Sequence, residues 1–513
     1  MAFFAILAIV MVIGSYLFVA LLAAGSVYLP YIIFSRAQSD HGWDVLILLF
    51  GILIAATMLW SLIPRRQEFT APGLLLERSR HPSLFAEIEN IAAALNEPVP
   101  HDVYLIGDAN AFVADRGGVM GFGTHRIMGL GLPLLSTMTV SQFRAVLAHE
   151  FAHYYGGDTS LGPWVYRTKA SIVRIFENIG SVGKLARVAY LAAMYMAVTM
   201  LLKWYFVSFL RISNYVSRKQ EYRADELACI VAGRQNLIDG LQSLHRAAAI
   251  WPAYWNQEVQ PVLSTGTLVA IGDGLTRFMA VPQISEELSK GLERRLREEK
   301  SKPYDTHPPL RDRIVALQKL PDDSAPQDSR NASCLLENLQ DAEISFVENR
   351  VDDIRPGSLK YVSWDDVATR VTIPSWQQFV SEYSAPLRGV TAESLPDEMP
   401  KLREIGSHIR DPKGMLLSPD QRTARAAGLF AAALALAMIR SAWELQVGPG
   451  LFRMSQGDRE FNPFLAVNQL MAKILSREAW TAQCQELGLS PLVLLPSSPV
   501  EPNPEPSPET KIR

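Results

Sequence analysis

More than thirty residues, Met1 to Phe34, pass before the first charged side chain, and that run dictates which solvent the chain must meet. About 20 apolar residues suffice to cross the hydrocarbon core of a bilayer as a helix. The run is too long for a secretory signal and lacks the basic start and small-residue cleavage site of one. A second apolar run, Trp43 to Pro64, follows a short polar connector and closes on Arg65 and Arg66. Residues 1–66 are therefore expected to form a transmembrane helical hairpin. The connector sets Arg36 against Asp40 and Asp44, whereas Arg65, Arg66, Arg78 and Arg80 follow the second run, so the basic bias points everything downstream into the cytoplasm. For a bacterial chain this means an integral protein of the inner or plasma membrane, with the lipid bilayer as a partner.

Charge gives no reason to expect a strongly charged partner. A net charge of -3 over 513 residues offers nothing to attract nucleic acid. Cys229, Cys334 and Cys484 lie far apart with no CxxC pair, so neither a disulfide framework nor a thiolate zinc site is indicated.

The expected fold class is α+β and mostly helical. Residues 67–321 read as one domain: an amphipathic helix near Pro82 to Leu95, a strand at "VYLIG", further strands at "GVMGFG" and "RIMGLGLPLL", and then a helix opened by Thr139 and Gln142, whose spacing fits a capping box. Residues 162–216 read as a long apolar helical hairpin, and a further helix carrying "SRKQEYRADELACIVAG" stops at Gly233. Residues 322–490 read as an appended α+β domain that begins with a linker, "SAPQDSRNAS". Its alanine-rich run before Arg440 is too short to span and suits a buried helix. Residues 491–513, alternating proline with polar residues, lack the material for a core and read as a disordered tail.

The chemistry sits in "AVLAHEFAHYYGGD", Ala145 to Asp158. On a helix, His149 and His153 share one face a turn apart, so both imidazoles can reach one zinc. A catalytic zinc needs a third protein ligand and an open place for water, and Glu150 beside the first histidine can act on that water as general base. Farther on, Glu221 and Asp225 are again four apart. Glu221 can supply the missing oxygen, and Asp225 can accept the free ring N–H of a zinc histidine. On spacing alone, a solvated acidic face is the better explanation of that pair.

The motifs "HEFAH" followed by Asp158, "SRKQEYRAD" and "THPPLRDRI", in this order, resemble the membrane zinc endopeptidases that include the HtpX heat-shock protease and the CAAX prenyl endopeptidase. The resemblance runs from about residue 70 to 320. It implies a zincin-type catalytic domain holding one zinc ion per chain, with His149, His153 and Glu221 as ligands and Glu150 as base. It puts Asp225, and Asp158, behind the ligands, and His307 and Arg313 near the scissile peptide. There they would donate to the developing oxyanion. Arg311 competes with Arg313, which is preferred by its spacing. "NAFVADRGG" fits the family's pattern ahead of a substrate-edge strand, expected over Gly117, Gly118, Val119, Met120, Gly121 and Phe122.

A shared metal also constrains topology. If Glu221 joins the two histidines, the chain between them crosses the bilayer an even number of times. Charges at Arg167, Lys169, Arg174 and Glu177 are costly at bilayer depth, which favours zero crossings, with 188–210 lying on the membrane surface or packed against the two anchors. A two-crossing hairpin is the other solution. The function expected is peptide-bond hydrolysis of membrane-associated or misfolded polypeptides in quality control, or site-specific maturation of one protein or lipidated peptide. From a different class, the alternative is a non-catalytic membrane scaffold with a structural zinc.

Overall fold

The computed structural model describes residues 2–36, 42–63, 69–116, 125–154, 162–186, 188–300, 305, 307–321, 326–351, 354–410 and 417–495. It divides into two compact units, Met1–Pro252 with Pro282–Pro356, and Ala253–Val281 with Gly357–Arg513. These divisions fall elsewhere than the 321/322 boundary read from the sequence.

In the first unit the N-terminal runs form helices α1 (Ala2–Arg36) and α2 (Gly42–Leu62). They meet α6 (Gly162–Gly183) and the first half of α7 (Ala189–Ala232) in one apolar cluster built from Val19, Ile54, Met58, Ile175, Ile179 and Leu202. Small residues allow the close approach: a Cβ on Gly51 would stand 2.1 Å from the Ser26 carbonyl oxygen. Polar links seal the bundle, with Ser15 and Tyr205 hydroxyls 3.1 Å apart and Asn178 donating to Ser61 at 2.8 Å. The apolar half of α7 thus packs against the two anchors, and Met196, Met200 and Trp204 face outward with Leu17, Leu21 and Leu49. A band of exposed apolar side chains this wide requires lipid or a partner to cover it.

The helix expected around Glu221 is no separate element. α7 is continuous for 44 residues, about 66 Å, so it carries the apolar bundle at one end and Glu221 and Asp225 at the other. It stops at Gly233, whose φ of 88° lies in the region that glycine tolerates best, and α8 (Arg234–Tyr254) follows.

A sheet of order β1-β2-β4-β3 covers the site helix, with β1 Leu74–Leu76, β2 Asp102–Ile106, β3 Ala111–Arg116 and β4 His125–Gly131. The amphipathic helix α3 (Pro82–Ala94) is present, and "LPLL" turns helical as α4 (Leu132–Thr137) instead of prolonging the strand. "GVMGFG" lies outside the described residues, so the edge strand that is described is β3, just upstream.

α5 (Val140–Ala152) is held with unusual completeness at its start. Its first N–H groups have no partner within the helix. Gln142 N–H donates to Thr139 Oγ1 at 3.2 Å, and the Gln142 amide accepts from Thr139 N–H at 3.1 Å, the expected capping box. The remaining donors, Val140 N–H and Ser141 N–H, go to the carbonyls of Arg330 at 2.9 Å and Asp328 at 3.2 Å. Part of what reads as a linker is therefore a strap over the helix, fixed further by Asn331 donating to the Ser136 carbonyl at 2.7 Å.

In the second unit, helix Pro419–Arg440 runs through the core among Leu387, Val467 and Trp480. The antiparallel strands Glu444–Gly448, Leu451–Gln456 and Arg459–Phe461 complete an α+β arrangement.

Candidate metal centre

α5 and α7 pack side by side and bring the two sequence-distant motifs together. His149, on α5, and His153, at its C-cap, stand with ring centroids 4.8 Å apart. Glu221 reaches between them: Oε2 lies 3.5 Å from His149 Nε2 and Oε1 lies 3.5 Å from His153 Nε2. One ligand atom from each of the three residues falls within 4.8 Å of the others. Bonds of 2.0–2.1 Å in a tetrahedral site hold neighbouring ligand atoms about 3.4 Å apart, so the observed spacings suit a shared ion better than direct hydrogen bonds. Glu221 Oε2 is buried and accepts no hydrogen bond, which leaves an acceptor at the centre of the cluster. Two imidazoles and a carboxylate are a donor set that zinc accepts. The residues fit the metal.

Their protonation follows from what surrounds them. Burial and Arg313 oppose charge on His149, yet Asp225 and Glu221 hold its pKa up at about 9. His153, desolvated and beside His149, drops to about 4 and keeps its lone pair. Burial would raise Glu221, but the neighbouring His149 and His307, with His153, override it and keep this carboxylate far below its usual range. Desolvation pushes the Glu150 carboxyl up to about 7. That is the range in which a carboxylate can both take and return a proton near neutral pH.

Asp225 lies behind His149. Its Oδ1 lies 3.0 Å from His149 Nδ1, which leaves Nε2 directed at the cluster. Arg313, on helix Leu310–Leu317, is buried and meets Asp225 through two bonds, Nε to Oδ2 at 2.9 Å and Nη2 to Oδ1 at 2.5 Å. Its Nη1 is also 3.5 Å from Glu221 Oε2. This guanidinium is engaged by Asp225 behind the ligands and by the ligand Glu221 itself, whereas the resemblance implied an oxyanion donor. Arg311 is exposed beside Asp312. His307, 67% exposed at its side chain, donates from Nδ1 to Glu221 Oε1 at 2.8 Å and borders the open side of the cluster. Asp158 and Gly117 to Phe122 lie outside the described residues. Sequence reasoning passed over two features: the Asp328–Arg330 strap, and Tyr154, whose hydroxyl donates to the Val113 carbonyl of β3 at 2.9 Å.

Residues 78–321, which contain every group of this cluster, match the family described as Peptidase family M48. Residues 78–321 therefore form an M48 peptidase domain. Among its relatives is a protein named Protease HtpX from Idiomarina loihiensis, 28% identical over 294 residues, covering 55% of this chain and 88% of the relative. A Protease HtpX from Xylella fastidiosa is 26% identical over 48% of this chain and 84% of the relative, and one from Actinobacillus pleuropneumoniae is 27% identical over 46% and 72%. No solved structure matches the chain. Its M48 domain, apolar helices and His149, His153, Glu221 cluster make the chain a membrane metalloprotease, a peptide-bond hydrolase.

Proposed function

We propose that the chain is a zinc endopeptidase with one metal ion, anchored in a bilayer with its active site on the cytoplasmic side, and that it degrades or processes membrane-associated and misfolded polypeptides. The observation that carries this reading is the convergence of His149, His153 and Glu221 from two helices, with Glu150 beside them and desolvated. Zinc held there supplies positive charge that polarises the scissile carbonyl and acidifies a water molecule.

The chain's own residues do the rest. Glu150 takes a proton from the attacking water on its carboxylate and delivers it to the leaving amine, so that one water and one peptide bond yield an acid and an amine. Asp225, locked by Arg313, holds His149 in the tautomer that leaves Nε2 unprotonated toward the metal. His307 is the exposed donor placed to meet the carbonyl oxygen as it gains charge. An extended substrate adds to the free edge of β3, which gives main-chain affinity with little sequence demand and suits a protease of damaged proteins.

Topology follows the shared site. The outward apolar face of α7 sits beside those of α1 and α2, which favours the two-crossing hairpin: α6 and α7 enter the bilayer with the anchors and return Glu221 to the side of His149. A scaffold with structural zinc would have no use for a desolvated carboxyl next to the ligands.

The test is zinc content and cleavage of unfolded casein by the full chain and by Glu150→Gln. Zinc retained in both, with cleavage lost only in the variant, is the expected outcome. A folded, zinc-loaded wild type as inactive as the variant would sink the peptidase reading.

A further inference from the structure

We propose that the hydroxyl of Tyr154 gates the substrate edge of β3: it occupies the Val113 carbonyl that an incoming peptide strand must take, so that substrate binds only by displacing it. This rests on the reading of β3 as the substrate edge.

The direction of the Val113 carbonyl follows from strand pairing. In an antiparallel pair, residues alternate between those that exchange hydrogen bonds with the neighbour and those that turn both N–H and C=O away. Gly131 N–H donates to the Asn110 carbonyl at 2.9 Å, which makes 110 and 131 a bonded pair. The register Ala111↔Leu130, Phe112↔Gly129, Val113↔Met128 then turns Phe112, Ala114 and Arg116 toward β4, and Ala111, Val113 and Asp115 away from it. β4 supports the same parity from its other side, where the Arg126 carbonyl accepts from His101 N–H at 2.8 Å next to β2. Val113 therefore presents its carbonyl to the open edge, and among the described residues no strand lies beyond β3.

Tyr154 fills that position. It follows His153 directly, so its hydroxyl reaches β3 from the end of the metal helix and bonds Val113 O at 2.9 Å. The ring is held in place: the Arg126 guanidinium lies 4.1 Å from its centroid, and Arg126 is itself paired with Glu97 at 3.1 Å and Asp115 at 3.6 Å. A substrate strand bonding to Ala111, Val113 and Asp115 competes with Tyr154 at the middle of the three. Peptides that offer a full main-chain ladder can exchange one bond for another, whereas ligands contacting Val113 alone gain little.

The experiment compares the full-length, zinc-loaded wild type with Tyr154→Phe in detergent, measuring kcat, KM and zinc content on an unstructured fluorogenic peptide. Losing one competing hydrogen bond should lower KM by about two- to tenfold, with kcat and zinc unchanged. Arg126→Gln, which frees the ring and keeps the hydroxyl, should move KM the same way. In peptides carrying one backbone ester in place of an amide, a single position should abolish the Tyr154→Phe advantage, because an ester cannot donate to Val113. A KM equal to or above wild type in Tyr154→Phe overturns the gate while leaving the peptidase reading intact. A folded, zinc-loaded wild type that cleaves nothing overturns both.

Discussion

The two ends of α7 are built on opposite plans. Over its first half, large apolar side chains point outward, Met200 at 76% and Trp204 at 67% exposure. Over its second half two carboxylates point inward, Glu221 and Asp225, each 2% exposed. One continuous helix can satisfy both only if its ends meet different surroundings. Exposed apolar surface is stable against lipid, and a buried carboxylate is stable only against a cation or a dense set of donors. Helix Pro419–Arg440 sharpens the contrast. It too is long and apolar enough to cross a membrane, yet 67% of its apolar stretch is buried within the protein, against 17% for α7. Hydropathy alone does not separate a core helix from a lipid-facing one; the direction in which the apolar face looks does.

The largest effect that could break this contrast lies at the charged end. Glu150→Gln should lower kcat by about 10²–10⁴-fold while the fold and metal content stay intact. Cleavage by the variant within tenfold of wild type would mean that the buried carboxyl is not the base. At the apolar end, Met200→Arg should destabilise membrane insertion by about 2.5–3.5 kcal/mol, measured as the inserted fraction in a glycosylation-mapping assay. An unchanged fraction would put this half of α7 in water and undo the two-crossing topology. Asp225→Asn should weaken zinc binding by about 10–100-fold, since it loosens His149 and leaves Arg313 without its bidentate partner. Unchanged zinc affinity in a competition titration would reduce this pair to packing.

The smallest effect is a pH dependence. With its pKa raised to about 9, His149 carries a proton at neutral pH in the metal-free site and must lose it on binding zinc. Zinc affinity should therefore rise with pH and level off above about 9, with roughly one proton released per ion at pH 7.5, measured by calorimetry in buffers of different ionisation enthalpy. The metal-free fold behaves oppositely. A raised folded-state pKa contributes stability that is full below the ordinary histidine value of 6.5 and is lost as pH climbs through about 9. Uptake with no proton release would contradict the His149 environment described above.

Much of the site was legible because its parts are local. The i, i+4 spacing of His149 and His153 and of Glu221 and Asp225, and the Thr139 and Gln142 cap, need only helix geometry. Spacing put Asp225 on the face of Glu221 but did not single it out from an ordinary acidic face; packing brings it to His149. Arg313 was legible as a partner of the site but not in its role: the motif brings it near, and only the packing of helix Leu310–Leu317 turns it toward Asp225. The separate helix expected around Glu221 merged into α7 because no breaker stands between Val188 and Gly233. Reading "SAPQDSRNAS" as the linker into a domain over 322–490 did not anticipate the Asp328 and Arg330 carbonyls on α5, since a polar composition describes a strap as well as a linker.

By itself, the sequence determined the apolar lengths, the helix and strand periods, the residue types able to hold zinc and the family they resemble. These are properties of neighbours along the chain, repeated every 2 or 3.6 residues. Tertiary structure alone decided which carboxylate meets which imidazole, which way Arg313 turns, that Tyr154 seals Val113, and which apolar helix faces outward. Each of those depends on the relative position of segments tens to hundreds of residues apart, and contact between such segments is set by packing, which leaves no periodic trace in the order of the amino acids.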